Sequence, residues 1–245
     1  MSDTLIFDTR TSLLQQEGPV CRDPFDHLDA VEWVQKQLDW CEQPQNVSGK
    51  GLVEPISKLE GDLIGVEVGV CNGVTSELFA QKISNINKLY AVDNYPSFVD
   101  WDGTRVTEER QAETMRRCKE RLAKYPNVEF VYKSSVEFGE TLFDDSIDFV
   151  FVDGDHSYEA TLKDLQTYWP KVKTGGVFAG HDINLTSVTK ALEEFFKDSP
   201  DTEIVTLNNV PALSVFFKLN DVDLLSPAFM VKPEVRPSKI GRAHV

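Results

Sequence analysis

No apolar run in this chain approaches the roughly 20 residues that a membrane-crossing helix needs, so no membrane span is expected. The opening MSDTLIFDTR lacks a basic stretch backed by an apolar one, so no secretory leader is expected and the expected location is the cytoplasm. Cysteine is scarce. Cys21, Cys41, Cys71 and Cys118 are widely spaced and form no Cys-x-x-Cys pair, which predicts reduced thiols rather than a disulfide framework. Basic charge is in deficit: Lys+Arg is 25 against Asp+Glu 40, a formal net charge of −15. A surface of that sign repels phosphate backbones and argues against broad binding to nucleic acid or anionic lipid. What is present is ordinary for a folded domain. The 245 residues are 41% hydrophobic and 27% charged, enough for one α/β sheet with flanking helices.

The first ~24 residues show no period and read as an arm. From Asp26 to Trp40, the spacing of Leu28, Val31, Val34 and Leu38, with Trp33 alongside, predicts a helix with one apolar stripe. Gln43 to Gly51 is polar, carries Pro and Gly, and reads as a linker. Strands are then expected at 63–68, 89–93, 128–132, 147–152 and 177–179, and helices at 74–86, 106–124, 157–169 and 187–197. The 106–124 helix presents Ala112, Met115, Cys118 and Leu122 on one face, and Gly175-Gly176 is expected to turn the chain into its strand. Two late strands, Glu203–Leu207 and Ser214–Lys218, lack a helix between them and read as an antiparallel pair. The alternation of strand and helix predicts a doubly wound, mostly parallel α/β sheet, which binds ligands beyond the carboxyl ends of its strands. The expected divisions are an arm and helical segment at 1–60, the sheet domain at 61–219 and a tail at 220–245. The final Ile240–Val245 looks like the in-frame translation of a common sequencing adapter, and is set aside from the fold on that reading.

The residues that bear chemistry fall at predicted strand ends. Glu67-Val-Gly69-Val-Cys-Asn-Gly73-Val-Thr-Ser76 follows the first strand and opens a helix. Gly69 permits close backbone approach to a ligand, and Gly73 eases the turn. The spacing is neither Gly-x-Gly-x-x-Gly nor a P-loop, so a nicotinamide or nucleotide-phosphate reading fails; a plain strand-to-helix turn fits this stretch as well as a ligand cradle does. Asp93 ends the second strand, where an ionised carboxylate can accept from both hydroxyls of a ribose, or simply terminate a turn. Asp153-Gly-Asp155-His156 and His181-Asp182 follow the fourth and fifth strands. Neighbouring parallel strands would set these groups side by side, and Asp153, His181 and Asp182 offer two oxygens and a nitrogen to a divalent cation. Arg116, Arg117, Lys119, Arg121 and Lys124 at helical spacing read as a solvated face rather than a nucleic-acid patch. Tyr95, Phe98 and Trp101 sit in a Pro- and Gly-punctuated loop. Their rings are expected to tuck onto the core, with covering a ligand the alternative.

Taken together, Glu67–Ser76, Tyr90–Asp93, Asp148–Tyr158 and Gly175–Asp182 resemble the class I S-adenosylmethionine-dependent methyltransferases. The string Phe-Val-Asp-Gly-Asp-His-Ser-Tyr, with a later Gly-Gly-Val-Phe-Ala-Gly-His-Asp, is similar more narrowly to the methyltransferase 24 family. The resemblance covers about residues 61 to 219 and implies a Rossmann-like, seven-stranded, mostly parallel sheet ending in an antiparallel pair. It further implies that Glu67 and Gly69 line the methionine end of S-adenosyl-L-methionine, with Gly73 and Ser76 also binding the cofactor. Asp93 would hold the ribose, Asn94, Ser134 and Ser135 would lie near the adenine, and Asp153 near the sulfonium. A divalent cation, Mg2+ or similar, would sit on Asp153, His181 and Asp182. An acceptor hydroxyl needs a base or a cation, for which His156, then Asp155, is the expected base. The expected reaction is O-methylation of a small molecule of the sugar or phenol class. The alternative is a non-catalytic binding or assembly module that keeps the cofactor pocket.

Overall fold

The computed structural model describes residues 25–99, 104–198, 204–207 and 228–231. Nine strands and seven α-helices occur among them. The strands are β1 Leu63–Val68, β2 Ile86–Asp93, β3 Phe98–Val99, β4 Arg105–Val106, β5 Val128–Tyr132, β6 Ile147–Val152, β7 Val172–Gly180, β8 Ile204–Leu207 and β9 Ala228–Val231. The helices are α1 Ala30–Cys41, α2 Val53–Ser57, α3 Val74–Lys82, α4 Glu108–Leu122, α5 Ser135–Gly139, α6 Tyr158–Tyr168 and α7 Thr186–Phe196. The main sheet has seven strands in the order β5-β2-β1-β6-β7-β9-β8. The first five pair in parallel, β9 runs antiparallel to β7, and β8 antiparallel to β9.

The sheet is covered on both faces because its strands alternate between two apolar layers. On β6 and β7, Val150 and Phe178 point into a cluster with Leu165, Tyr168, Val188 and Leu192 of α6 and α7. Their neighbours Phe149, Phe151, Val177 and Ala179 point the other way, onto Leu52, Ile56 and Phe79. The order reverses between β1, which leads outward to β2 and β5, and β6, which leads to β7. A ligand crevice opens at the carboxyl side of such a switch point.

Several expectations change. The chain between 43 and 51 is no free linker: Ser48–Leu52 forms a 3-10 helix and runs directly into α2. Leu52 and Ile56 are fully buried against the sheet, so apolar burial fixes a stretch whose Pro and Gly content suggested looseness. On α1, Trp33 takes the buried place expected of Val31, which is 51% exposed. On α4 the buried line is Arg110, Thr114, Cys118 and Leu122, one residue every turn, while Ala112 faces solvent. Arg110 is tolerated inside because its guanidinium donates to the carbonyls of Arg105 and Phe25, both at 2.6 Å, and stacks on Trp33. β7 begins at Val172 and runs through Gly175-Gly176 with a register shift, instead of starting after a turn there.

The antiparallel pair exists, but its inner strand is β9 at Ala228–Val231, within the stretch read as a tail. The expected strand at 214–218 lies outside the described residues, as do the arm at 1–24, Cys21, Trp101 and the final six residues. Cys41, Cys71 and Cys118 form no disulfide. Among the described residues, no helix is long and apolar enough to cross a membrane.

Candidate active site

The crevice starts from backbone geometry. The Gly69 N–H donates to the Val92 carbonyl at 3.0 Å, and the Asp153 N–H donates to the Val68 carbonyl at 2.8 Å, so three strand ends are stitched together. Gly69 has φ +81°, and a Cβ there would meet the Asp153 carbonyl oxygen at 2.0 Å. No other residue satisfies both demands without moving backbone. Gly73, at φ +80°, lets the loop turn into α3.

Inside the loop, Glu67 is buried and accepts a short hydrogen bond from the Ser76 hydroxyl. Burial pushes its carboxyl up to about 8, against the pull of Ser76 and with the help of the acids Asp153 and Asp93. Asp93, at the end of β2, accepts from the Cys71 N–H at 3.0 Å and the Tyr95 N–H at 2.7 Å, one on each oxygen. The Val70 and Asn94 backbone groups also hydrogen-bond this carboxyl, and burial pushes it above its ordinary value against the pull of these donors. The Tyr95 hydroxyl returns to the Cys71 carbonyl at 2.5 Å. Cys71 and Tyr95 both stand at positive φ, +50° and +46°, so this loop holds strained backbone. Among the described residues the buried Asn72 amide nitrogen has no nitrogen or oxygen partner, and its side chain lies against the Cys41 thiol.

The other side of the crevice is ionic. The His181 N–H donates to the Val152 carbonyl at 3.0 Å, which continues the β6–β7 pairing and sets His181 beside Asp153. His181 Nδ1 is 3.5 Å from Asp153 Oδ1 and 3.2 Å from Asp182 Oδ2. His156 Nε2 contacts Asp182 Oδ2 and is 3.8 Å from Asp153 Oδ1. Asp182 turns its carboxylate back onto both rings from a left-handed backbone, φ +56°, which aspartate tolerates better than most residues. One donor atom from each of Asp153, His156, His181 and Asp182 lies within 4.8 Å of every other. Burial disfavours the charged rings, but Asp182 and Asp153 outweigh it, raising His156 to about 9 and His181 above its ordinary value. Burial likewise opposes the Asp182 charge, yet the two histidines hold it well below the usual carboxylate range.

Residues 66–183 match the family model Methyltransf_24, described as a methyltransferase domain. This segment is a methyltransferase domain of that family. Solved structures of similar fold include an S-adenosylmethionine-dependent O-methyltransferase, TM0748, from Thermotoga maritima. It is 14% identical with a TM-score of 0.54, covering 86% of this chain and 74% of that one. A cofactor-bound protein, Rv0187, from MTB is 15% identical, TM-score 0.54, covering 91% and 100%. An rRNA methylase from Streptococcus thermophilus is 15% identical, TM-score 0.51, covering 78% and 96%. At these identities the likeness is one of fold. No curated protein sequence matches the chain.

Within the methyltransferase domain, the glycine loop, Asp93, Asp153, His156, His181 and Asp182 all stand at the carboxyl edge of the sheet. Asp155 sits at the same edge, where its Oδ1 accepts from the Ser157 N–H at 2.8 Å. Asn94 is exposed just past β2. Ser134 caps α5 through a reciprocal pair with Glu137, and the Ser135 hydroxyl donates to the buried Asp164 at 2.5 Å. Those two hydroxyls already have intramolecular partners. Of the loop aromatics, Tyr95 is buried while Phe98 is half exposed. The sequence reading had not singled out Asn72, nor joined His156 to the metal-ligating group. His156 was within reach of such a reading, since it follows Asp153 by three residues; Asn72 gave no signal beyond its place in the loop.

Proposed function

We propose that the protein methylates an oxygen of a small molecule, of the sugar or phenol class, using S-adenosylmethionine held at the carboxyl edge of β1 and β2. The observation that carries this reading is the meeting of two different surfaces at the switch point of a methyltransferase domain: the Gly69 loop and the Asp153–Asp182 cluster. The loop suits the donor. Gly69 admits backbone contact with the methionine end, Asp93 offers two acceptor oxygens to a ribose, and the acids nearby favour a cationic sulfonium. Glu67, Gly73 and Ser76 shape that end, and Asn94, Ser134 and Ser135 border the side where the adenine would lie.

Methyl transfer is an in-line displacement, so the chain contributes mainly by aligning donor and acceptor in a dry crevice. An acceptor oxygen placed between Asp153 and Asp182 would face the methyl group held over Gly69. Asp153, His181 and Asp182 would hold a divalent cation, which when bound would lower the pKa of the acceptor hydroxyl. His156 Nε2 is committed to Asp182, so His156 fixes the cluster, and we assign the acceptor's proton to the exposed carboxylate of Asp155.

A small acceptor is favoured over nucleic acid by the charges of α4. Arg116 lies 2.6 Å from Glu113, Arg117 2.8 Å from Glu113, and Lys124 2.9 Å from Glu77, while Arg121 contacts both Glu77 and Glu42. Cations already paired with acids offer little to a phosphate backbone. The test is incubation with isotope-labelled S-adenosylmethionine and a panel of phenols, sugars and a short RNA, with mass-spectrometric detection of the product. Label on a phenol or sugar oxygen supports the reading. Label on RNA alone, or cofactor binding with no transfer to any acceptor, overturns it.

A further inference from the structure

The four donors at the ends of β6 and β7 are chemically unlike a magnesium site. Mg2+ takes oxygen ligands in near-ideal octahedra and keeps several waters. Here half the inward-facing donors are imidazole nitrogens. Mixed imidazole and carboxylate ligands suit borderline first-row ions such as Mn2+, Fe2+, Co2+ and Zn2+. We propose that Asp153, His156, His181 and Asp182 form a two-histidine, two-aspartate site for a borderline first-row divalent metal, with His156 as a ligand rather than the base. The proposal rests on the methyltransferase reading only for its catalytic meaning; the metal site itself stands on the donor geometry.

Three observations support it. First, the donors converge. Ligand atoms about 2.1 Å from a common ion stand roughly 3.0 to 3.4 Å apart in octahedral or tetrahedral arrangements. His181 Nδ1 lies 3.2 Å from Asp182 Oδ2, within that range, and 3.5 Å from Asp153 Oδ1; His156 Nε2 lies 3.8 Å from Asp153 Oδ1 and contacts Asp182 Oδ2 directly, so an ion entering the cluster replaces that contact. Second, both rings are held from behind. The His156 ring also hydrogen-bonds the Gly154 backbone, and its carbonyl accepts from the Ser187 hydroxyl at 2.6 Å. The His181 ring packs edge-on to Phe151, with ring centroids 6.3 Å apart. The Gly154 contact fixes the tautomer of the His156 ring, the Ser187 bond holds its backbone, and the packing on Phe151 orients the His181 ring. Third, the site is half enclosed and still reachable. The Asp153, His181 and Asp182 side chains are 17%, 11% and 16% exposed, and His156 is 31% exposed on the open side. That leaves a direction from which further ligands can approach.

The experiment titrates Co2+ into chelator-stripped full-length protein and follows the visible d–d absorption. One equivalent of Co2+ is expected to bind, Zn2+ to displace it near stoichiometrically, and Mg2+ to require at least a ~100-fold higher concentration. His156→Gln and His181→Gln should each weaken Co2+ binding about tenfold or more, while Glu159→Gln on the exposed side of α6 should bind as the parent does. Pulsed EPR of the Cu2+-loaded parent protein reads bound imidazole nitrogens with no substitution at all, so a variant that misfolds does not stall the test. Two coupled nitrogens are expected. No Co2+ binding, displacement by Mg2+ as readily as by Zn2+, or a single coupled nitrogen overturns the proposal. Calorimetric titration with S-adenosylmethionine in parallel separates the two readings. Metal bound without cofactor defeats the methyltransferase reading alone, and cofactor bound without metal defeats the metal site alone.

Discussion

At the sheet edge, Asp153, His156, His181 and Asp182 crowd their charged atoms into one pocket, whereas Arg116, Arg117 and Arg121 of α4 and Lys124 just beyond it lie along one helix and share the acids Glu113 and Glu77. Both regions are dense in ionisable residues. The difference lies in how their partners were recruited. The Arg116 pairs are local, three or four residues apart on one helix, and exposed enough on the arginine side to be screened, while Arg117–Glu113 and Arg121–Glu77 are as withdrawn from water as the cluster. The cluster draws on β6, β7 and the turns after them, and every member is at least half withdrawn from water. What sets the cluster apart is its place: charge gathered from separate strands at the ligand edge of a parallel sheet marks candidate chemistry, whereas the charges along α4 neutralise one another.

The sharpest way to break the contrast is Asp182→Ala. Asp182 faces both histidines, so its loss leaves His156 and His181 without their shared acid. Methyl transfer is expected to fall about a thousandfold, within the range of a lost proton-handling or ligand group. Cofactor affinity should change little, because Asp182 stands on the far side of the crevice from Asp93. Initial rates with labelled cofactor, set beside calorimetric titration, check both halves. Comparable losses in rate and in cofactor binding would mean that the two sides of the crevice are one unit.

Asp93→Ala should produce the mirror image. It removes a carboxylate and strands the Cys71 and Tyr95 N–H groups that now donate to it. Charge-assisted hydrogen bonds of this kind are worth about 1.5 to 3 kcal/mol, so S-adenosylmethionine binding should weaken roughly 100-fold. Metal binding at the cluster should be unchanged. Undiminished cofactor binding would remove Asp93 from the site.

How much of this could be read from the sequence follows the same division. The strand-end acids were legible because parallel strands rich in Val, Ile and Phe announce themselves, and whatever follows them must lie at one edge. Gly69, Asp93, Asp153 and His181-Asp182 all fall under that rule. Features set by distant packing were not legible. β9 pairs with β7 across some 50 intervening residues, and a four-residue strand shows too little alternation to be recognised. The hairpin reading placed its partner at the nearest apolar stretch instead. The buried Arg110 was hidden among the charges of α4, since only the carbonyls of Phe25 and Arg105 make its burial tolerable. His156 was expected as the base, and its pairing with Asp182 was not legible because Asp182 reaches it from a turn at positive φ.

Asp164 is a buried carboxyl of a third kind: among the described residues its side chain meets the Ser135 hydroxyl and no cation. It is 3% exposed and accepts from Ser135. Burial pushes its carboxyl up to about 6, with Ser135 pulling down and Asp155 adding to the rise. A carboxyl whose folded pKa is raised binds its proton more tightly when folded. The stability that this brings is present at pH below ~4 and is lost as pH rises through about 6, up to roughly 3 kcal/mol for a shift of ~2 units. Asp164→Asn should therefore flatten the fall in stability between pH ~4 and ~6. Urea melts across that range check it, and an unchanged slope would mean that other groups carry the dependence.

The smallest effect is expected on α4, where Arg116→Ala removes contacts to Glu113 and Glu120. Arg116 is 49% exposed on its side chain, and exposed pairs of this type contribute little to stability. Part of even that should return, because Glu113 keeps Arg117 at 2.8 Å. The urea midpoint should barely move, and 0.5 M salt should abolish most of the difference by screening. Methyl transfer to a small acceptor should be unaltered. If Arg116→Ala instead lowers activity severalfold while leaving cofactor binding intact, the cations of α4 are touching the acceptor. The acceptor would then be an anion large enough to reach from the sheet edge to that helix, and the division drawn between working charge and surface charge would fail at this residue.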